Sequence, residues 1–432
     1  MKKTAVLLLC LVFACTALIP MRLHADTIRM MQYNLMYYTT LGPDGCDETT
    51  NSLDNKDMAL KEILKYVKPD VLCVNEIGKE DKYAQRLLNN TLNVDGVNYY
   101  ATCPTTSSSS SYITTGNRLF YNTKKLGYHS SFYIPTSVAY INAYKMYYKT
   151  NRLAAGDTIF TTFFVTHLKA GSAEANASTR YTQVQALMSR ISSGKAGNYV
   201  LSGDFNLYGA SEEAYQHLIH YSNSLYRFCD PLDREEEWHE NRSCASIHTQ
   251  STHSWGDCFA GGGLDDRFDF ILVSPYILYG SQKVQCITSS YRAVGQDGNR
   301  YNGTVNSPFN NDVPEDIAEA LYIVSDHLPV VLDFNIKTST GISAYNPNQS
   351  LWANVVNPVR NNKLELDIFS DHAQTLTFRL FTTDGRLVAS FVEPVRDGNT
   401  RITQEFPYSS SLYFLQISDG QKQIVTRKIV KF

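Results

Sequence analysis

Short apolar runs recur along the first 337 residues, and glycine, proline or polar residues bound each of them. Runs of this length and alternation are typical of β-strands. We predict strands at 27–36, 70–77, 116–122, 158–171, 199–201 and 267–274, a tyrosine-rich hairpin over 131–149, and a further apolar run within 322–334.

A second pattern places apolar residues three and four positions apart, which predicts helices over 54–67 and 178–192 and a third starting at Ser211. The helix 54–67 lies between the strands 27–36 and 70–77. A strand, helix, strand unit normally forms two neighbouring parallel strands covered by the helix. We therefore predict an α/β domain over residues 26–337.

The end of the chain has a different pattern. Residues 338–349 (TSTGISAYNPNQ) indicate a linker, and beyond them apolar and polar residues alternate with period two. Asp-Gly pairs at 384, 397 and 419 mark turns between these runs. Residues 350–432 are predicted to form a small all-β sandwich. The serine-rich segment 105–116 is predicted to be a loop.

Residues 1–25 have the pattern of a secretory signal: Lys2 and Lys3, a largely apolar run, and Leu23-His24-Ala25 before the expected cleavage site. A lipoprotein signal ending before Cys15 is the alternative. No later apolar run approaches the ~18 residues that span a bilayer, so we expect no transmembrane segment. The expected location is secreted or on the cell surface.

Removal of residues 1–25 leaves seven of the nine cysteines, an odd number. Cys73 lies in an apolar strand pattern, which indicates a buried free thiol. Cys229, Cys244 and Cys258 crowd one segment, where one disulfide is expected. A zinc site there is the alternative, without the usual C-x-x-C spacing.

Polar residues of chemical interest stand at the ends of the predicted strands, where loops from separate strands converge in layered α/β folds. They are Asn34, Glu76, His167, Asp204, Asn206, Asp269, Asp326 and His327. In the stretch NYVLSGDFN (198–206), Gly203 permits a close turn, and alternation places Asp204 and Asn206 on one side with Phe205 directed away.

This set suits hydrolysis of a phosphate ester. Carboxylate and amide oxygens of Glu76 and Asn34 would bind Mg²⁺, and His327, oriented by Asp269, would take a proton from water. His167 would protonate or stabilise the leaving oxygen. Taken singly, each residue also fits a structural role, as a solvated charge, a turn cap or a buried histidine. Arg118 and Arg267 fit either phosphate contacts or surface ion pairs.

The six motifs that hold these residues resemble the endonuclease/exonuclease/phosphatase superfamily, which includes deoxyribonucleases, apurinic endonucleases, sphingomyelinases and inositol polyphosphate 5-phosphatases. The motifs are QYNL with Asn34, VNEI with Glu76, THLKAG with His167, SGDFN with Asp204 and Asn206, RFDFILVS with Asp269, and SDHLPV with Asp326 and His327.

The resemblance implies a four-layer α/β/β/α sandwich of two packed β-sheets, phosphoester hydrolysis and dependence on Mg²⁺, with Mn²⁺ or Ca²⁺ as alternatives. It implies metal ligands at Asn34 and Glu76, with Asp326 supporting them. The implied catalytic residues are His167, Asp204, Asn206, Asp269 and His327.

Particular positions favour some branches of this superfamily. A histidine at position 167 resembles the deoxyribonuclease and sphingomyelinase branches. Apurinic endonucleases carry an amide at the corresponding place. Phe164 stands where those endonucleases have a tyrosine. Met36 stands where a second acidic ligand would be.

The tail resembles the sorting domains of type IX secretion, through NPV (357–359), DGRLV (384–388), LYFLQI (412–417) and the terminal KIVKF. The resemblance implies an immunoglobulin-like sandwich and export through the periplasm and across the outer membrane, with the type IX machinery as partner.

These observations together predict a secreted metal-dependent phosphodiesterase, with nucleic acid as the expected substrate. Residues 1–25 carry +3 and residues 351–432 carry +2 of a total charge of −3, so residues 26–350 carry −8. A domain with this net negative charge does not bind long polyanions through net charge alone. A sphingomyelinase-like enzyme or phosphatase is one alternative, with the aromatic stretch 133–148 as lipid contact. An inactive exported binding module is another.

Overall fold

The computed structural model describes residues 26–40, 42, 46–104, 114–150, 153, 158–256, 258–337, 351–355, 359, 362–370, 372–419 and 423–431. The signal 1–25, the linker 338–349 and most of the serine-rich loop lie outside the described residues.

Eleven strands precede residue 338 in the described part of the chain. They are β1 (Asp26–Tyr38), β2 (Val71–Gly78), β3 (Tyr100–Thr102), β4 (Thr115–Asn122), β5 (Leu126–Ile134), β6 (Ile141–Tyr148), β7 (Phe160–His167), β8 (Tyr199–Asp204), β9 (Asp269–Val273), β10 (Val284–Ala293) and β11 (Val330–Ile336).

Six helices accompany these strands: α1 (Leu53–Val67), α2 (Asp81–Leu87), α3 (Glu174–Ser192), α4 (Glu213–Ile219), α5 (Pro275–Leu278) and α6 (Glu315–Val324). The predicted apolar face of α1 is buried, and α1 ends at Val67, followed by the left-handed residue Lys68 and by Pro69. None of the helices in the described ranges is long and apolar enough to cross a membrane.

The strands form two mixed sheets. The first has the order β10-β11-β1-β2-β4-β3 and the second the order β5-β6-β7-β8-β9. The pairs β1–β2 and β7–β8 are parallel, and the pairs around them are antiparallel. The predicted parallel pairing of the strands that flank α1 is therefore confirmed, as is the predicted hairpin, which is β5 with β6.

One hydrophobic core contains side chains from both sheets, among them Met30 of β1, Cys73 of β2, Phe163 of β7 and Ile271 of β9. A second core lies where α3 and α4 cover the second sheet, and it includes Val184, Leu187, Leu201 and Phe205. Phe205 stacks on Phe270 in this core with ring centroids 4.9 Å apart, consistent with its predicted direction away from Asp204 and Asn206.

The structure changes several local predictions. The strand predicted over 199–201 continues to Asp204. The run 322–334 is divided, since residues 322–324 complete α6 and β11 begins at Val330. The polar residues 325–327 separate the two segments in the sequence, but three apolar residues do not show that the first segment ends a helix.

The cysteine prediction is partly wrong. Cys46 and Cys258 form a disulfide across 212 residues of sequence, whereas Cys229 and Cys244 are buried free thiols. Cys73 is a buried free thiol, as predicted. A disulfide depends on the spatial approach of two Cα atoms, which spacing in the sequence does not show.

The two arginines expected on the surface are instead buried in ion pairs. Arg118 is 2% exposed and donates to Asp81 at 3.0 Å. Arg267 is 1% exposed and donates to both oxygens of Asp230, at 2.7 and 3.0 Å. Paired and buried in this way, Arg267 does not serve as a phosphate ligand.

The C-terminal strands are all antiparallel in their pairing. They are β12 (Leu351–Val355), β13 (Lys363–Ser370), β14 (Gln374–Thr382), β15 (Leu387–Val395), β16 (Gly398–Glu405), β17 (Ser411–Ser418) and β18 (Gln423–Lys431). They form two sheets, β12-β13-β16 and β15-β14-β17-β18, around a separate apolar core. The predicted all-β tail is confirmed.

Candidate active site

The polar residues predicted at strand ends come together where the two sheets meet. Asn34 and Glu76 lie in β1 and β2, His167 and Asp204 end β7 and β8, and Asn206 follows β8. Asp269 begins β9, and the turn between α6 and β11 carries Asp326 and His327. Side-chain contacts of 3.9 Å or less link seven of them into one cluster: Asn34, Glu76, His167, Asp204, Asp269, Asp326 and His327. The eighth, Asn206, joins the cluster through its backbone amide, which donates to Asp204 Oδ1.

Strand register explains why residues far apart in sequence meet. In the parallel pair β7–β8, His167 is opposite Asp204, and in the antiparallel pair β8–β9, Asp204 is opposite Asp269. Three neighbouring strands therefore present three titratable groups in a row. The first sheet adds its own row, because Asn34 is opposite Asn75, the neighbour of Glu76.

Glu76, His167 and Asp204 form a group whose ligand atoms all lie within 4.8 Å of one another. His167 Nε2 is 3.5 Å from Asp204 Oδ2 and 3.9 Å from Glu76 Oε1. Asn34 Nδ2 donates to both carboxylates, at 3.0 Å each. Two carboxylates and an imidazole at this spacing are a donor set that fits a divalent cation.

Asp326 approaches the cluster from the side of His327. Its Oδ2 accepts the amide hydrogen of Ala260 at 2.9 Å, and its Oδ1 is buried without a hydrogen-bond partner among the described residues. A buried carboxylate oxygen in that state fits a site that takes up positive charge.

His327 and Asp269 form a buried dyad. His327 Nδ1 lies 2.7 Å from Asp269 Oδ2, and the side chains are 3% and 0% exposed. A carboxylate can only accept here, so Nδ1 carries the hydrogen. In the neutral ring Nε2 carries no hydrogen and can accept one. Gln250 Nε2 donates to it at 2.7 Å, and Asn34 Nδ2 lies at 3.4 Å.

The crowding of acidic groups alters the pKa values. Burial raises the pKa of the Asp204 carboxyl to about 6, against the opposing effect of His327 and His167. Burial lowers the pKa of His327, but the carboxylates of Asp269, Asp204 and Asp326 outweigh it and raise that pKa well above its ordinary value. Groups shifted in this way are typical of sites that bind cations or move protons.

Several residues at the site have left-handed backbones although they are not glycine. They are Met36, Tyr37, Glu76 and Asn206, with φ between 44° and 57°. Each such residue costs roughly 1–3 kcal/mol and persists where the surroundings hold it. Gly203 meets another requirement: a Cβ atom there would lie 1.8 Å from the carbonyl oxygen of Thr166, so only glycine allows this approach of β8 to β7.

Sequence reasoning missed the buried amides behind the site. Asn75 accepts from Gln32 Nε2 at 2.6 Å and from the Asp204 amide at 2.9 Å. It donates to Asn117 Oδ1 at 2.7 Å and to the Thr166 carbonyl at 2.9 Å. Asn75 thereby ties the two sheets together beneath Asp204. In the sequence, the amide of Asn75 within an otherwise apolar strand pattern was the feature that could have indicated a buried hydrogen-bonding role.

Gln250 and Ser325 were also missed. Ser325 Oγ donates to the Asn34 carbonyl at 2.7 Å and accepts from the His327 amide at 3.0 Å, so it joins the two halves of the site. Neither residue stands at the end of a strand, and nothing in their sequence pattern distinguishes them.

A cavity of about 420 Å³ opens beside Glu76 and His167. Its walls include Lys169, Thr115 and, from the turn between β5 and β6, Ala139. The cavity provides room for a substrate group next to the cluster of Glu76, His167 and Asp204.

Comparison with solved structures gives similarities at low sequence identity. An endonuclease/exonuclease/phosphatase from Beutenbergia cavernae is 14% identical, covering 93% of this chain and 99% of that chain at a TM-score of 0.46. The human Nocturnin catalytic domain is 17% identical (72% and 95% covered, TM-score 0.45), and D. rerio TDP2 is 15% identical (72% and 99%, 0.43).

No curated protein matches the sequence. The model of the Endonuclease/Exonuclease/phosphatase family matches residues 31–327, which is more than half of the chain and contains every residue of the cluster. The chain therefore belongs to the endonuclease/exonuclease/phosphatase family.

Proposed function

We propose that this protein is a secreted, metal-dependent phosphodiesterase with nucleic acid as its substrate. The family acts on phosphoester bonds. The observation that carries the proposal is the geometry around Asp204: a candidate cation group lies on one side, and a buried His327–Asp269 dyad lies on the other, with His327 Nε2 3.6 Å from Asp204 Oδ2. A cation and a base can thus act on one phosphorus atom.

Glu76 and Asp204 would hold the metal, with Asn34 and Asp326 beside them. His167 lies next to both carboxylates and remains available to the leaving oxygen. When bound, Mg²⁺ supplies polarisation of the phosphoryl oxygens and offsets the charge that develops on them. Like Mg²⁺, the cations Mn²⁺ and Ca²⁺ prefer oxygen ligands, so they are the alternatives.

The residues of the chain perform the proton transfers. A cation at Asp204 and Asp326 would offset the negative charge that raises the pKa of His327, and so favour the neutral ring. Neutral His327 accepts a proton from the attacking water at Nε2, where the water replaces the amide of Gln250, while Asp269 holds Nδ1–H and stabilises the imidazolium. The water oxygen forms a bond to phosphorus as the bond from phosphorus to the leaving oxygen breaks. His167, 24% exposed at the cavity, donates a hydrogen to that leaving oxygen, and Asn206 helps to position the phosphate or the water.

A sphingomyelinase-like activity is the second candidate, and one observation favours it. Tyr133 at the end of β5 is 43% exposed and stacks on Tyr140 with ring centroids 5.1 Å apart. This aromatic pair flanks the turn whose residues Val138 and Ala139 line the cavity. Exposed aromatic rings beside an active site fit contact with a lipid surface.

The same proposal includes the export of the protein and the architecture of its domains. We propose a signal at 1–25, a catalytic domain at 26–337 built as a four-layer α/β/β/α sandwich, a linker at 338–349, and an immunoglobulin-like sorting domain at 350–432. The support is the signal pattern and the likeness of the tail to type IX sorting domains. The partner would be the type IX secretion machinery.

A substrate panel tests the activity. Purified protein with Mg²⁺ or Mn²⁺ is given plasmid DNA, RNA, sphingomyelin and a chromogenic phosphodiester, beside His327→Ala, Glu76→Ala and the surface control Glu62→Gln. We expect the wild type and the control variant to cleave nucleic acid and both site variants to lose this activity. Equal turnover by all variants would remove the proposal, and turnover of sphingomyelin alone would select the second candidate.

A further inference from the structure

Lys56 is a buried lysine that the proposed chemistry does not use. It lies in the first turn of α1, is 1% exposed, and donates from Nζ to the carbonyl oxygen of Leu35 at 2.9 Å and to that of Met36. The ring of Phe259 lies 5.7 Å from Nζ. Among the described residues, no carboxylate lies within ion-pair distance of it.

Burying an ammonium without a carboxylate partner opposes folding. A methionine of similar length would fill the same space without that penalty. The ammonium also satisfies the carbonyl oxygens of two buried residues, which offsets part of that penalty, and these two acceptors indicate what Lys56 does.

Both carbonyls belong to the place where β1 departs from regular strand geometry. Met36 and Tyr37 have φ of 44° and 51°, and the register of β1 with β2 shifts there. Left-handed residues other than glycine need contacts that hold them. Lys56 supplies two, and Asn51 Nδ2 supplies another by donating to the Tyr37 carbonyl at 3.0 Å.

The same turn directs two amide hydrogens at the candidate metal ligands. The amide of Met36 donates to Asn34 Oδ1 at 2.9 Å, and the amide of Tyr37 donates to Glu76 Oε2 at 3.1 Å. We propose that Lys56 is a positioning residue: its ammonium holds this turn so that the turn orients Asn34 and Glu76 for a divalent cation. This inference rests on the proposed function of the site.

The test replaces the charge and keeps the volume. Lys56→Met is compared with the wild type and with Lys65→Met, an exposed position on the same helix. Mn²⁺ affinity is measured by isothermal titration calorimetry on chelator-treated protein, and stability by urea unfolding without metal. Lys56→Met removes the penalty of a buried charge but leaves two carbonyl oxygens without this donor, so we expect a stability close to that of the wild type. We expect the variant to bind Mn²⁺ about tenfold more weakly, in the range seen for groups that orient metal ligands. Its kcat should recover at saturating Mn²⁺.

Wild-type Mn²⁺ affinity in Lys56→Met would overturn the inference. If that variant does not fold, Asn51→Ala removes the other hold on the turn; weaker Mn²⁺ binding by about threefold supports the inference and unchanged binding overturns it. Glu76→Ala separates this from the proposed function. If Glu76→Ala loses Mn²⁺ while Lys56→Met does not, only the role of Lys56 fails. If Glu76→Ala binds Mn²⁺ normally, the proposed metal site itself fails.

Discussion

Asp204 is the residue at which activity and stability should conflict most clearly. Its carboxyl is 2% exposed, and burial raises its pKa from 3.8 to about 6. At about 1.4 kcal/mol for each pH unit, this rise means that ionised Asp204 lowers the stability of the metal-free fold by ~3 kcal/mol at neutral pH. Asp204→Asn removes that penalty.

The substitution also has a cost. Asn34 Nδ2 donates to Asp204 Oδ2 at 3.0 Å, and an amide nitrogen placed there could not accept it. One lost hydrogen bond is worth about 1 kcal/mol. We therefore expect metal-free Asp204→Asn to be more stable than the wild type by about 2 kcal/mol at pH 7.5.

The gain should depend on pH in a definite direction. Below pH 3.8 the carboxyl is protonated in both the folded and the unfolded wild type, so the stabilising contribution of a raised pKa is fully present. As the pH rises, the unfolded chain ionises first, and that contribution is lost by pH 6. The advantage of Asp204→Asn should therefore grow by about 2 kcal/mol between pH 4.5 and 7.5.

Urea unfolding of chelator-treated protein at these two pH values measures the difference, with Glu62→Gln as an exposed control. The same variant should have less than about 1% of wild-type phosphodiesterase activity with Mg²⁺, since the site loses a charged ligand. An Asp204→Asn protein that is less stable than the wild type at pH 7.5, or whose advantage is the same at both pH values, would refute the reasoning.

Three further substitutions test the support of the site. Asp269→Asn should lower kcat at least about 100-fold with stability little changed, because an uncharged amide 2.7 Å from Nδ1 stabilises the imidazolium of His327 less than a carboxylate does; steady-state kinetics on a chromogenic phosphodiester measures this. Gly203→Ala should destabilise the fold by roughly 3 kcal/mol in urea unfolding, since the added Cβ would lie 1.8 Å from the carbonyl of Thr166. Asn75→Leu should cost more than ~3 kcal/mol in the same measurement, because it strands the partners of four buried hydrogen bonds.

Each of these three expectations can fail in its own way. Full kcat in Asp269→Asn would show that the proton is taken elsewhere. A Gly203→Ala protein with wild-type stability would show that β7 and β8 separate at little expense. An Asn75→Leu protein as stable as the wild type would mean that the two sheets do not need the amide network between them.

The helix α1 shows what local pattern predicts well. The buried positions Leu60, Ile63, Leu64 and Val67 lie on one face because they are spaced three and four apart, and this spacing is visible in the sequence. The parallel pairing of β1 and β2 follows from the same local information, since a helix between two strands leaves little other choice. The helical state of residues 322–324 did not follow, because three apolar residues are too few to show a helical period.

The sequence by itself determined the elements and the polar residues at strand ends, since both depend on the order of neighbouring residues. Only the tertiary structure decided the pairing of Cys46 with Cys258, the amide network of Asn75, and the hold of Lys56 on the end of β1. These contacts join segments that are close only after folding, and the residues involved carry no local signature of their partners. Register between strands, rather than any motif, set the distances among His167, Asp204 and Asp269.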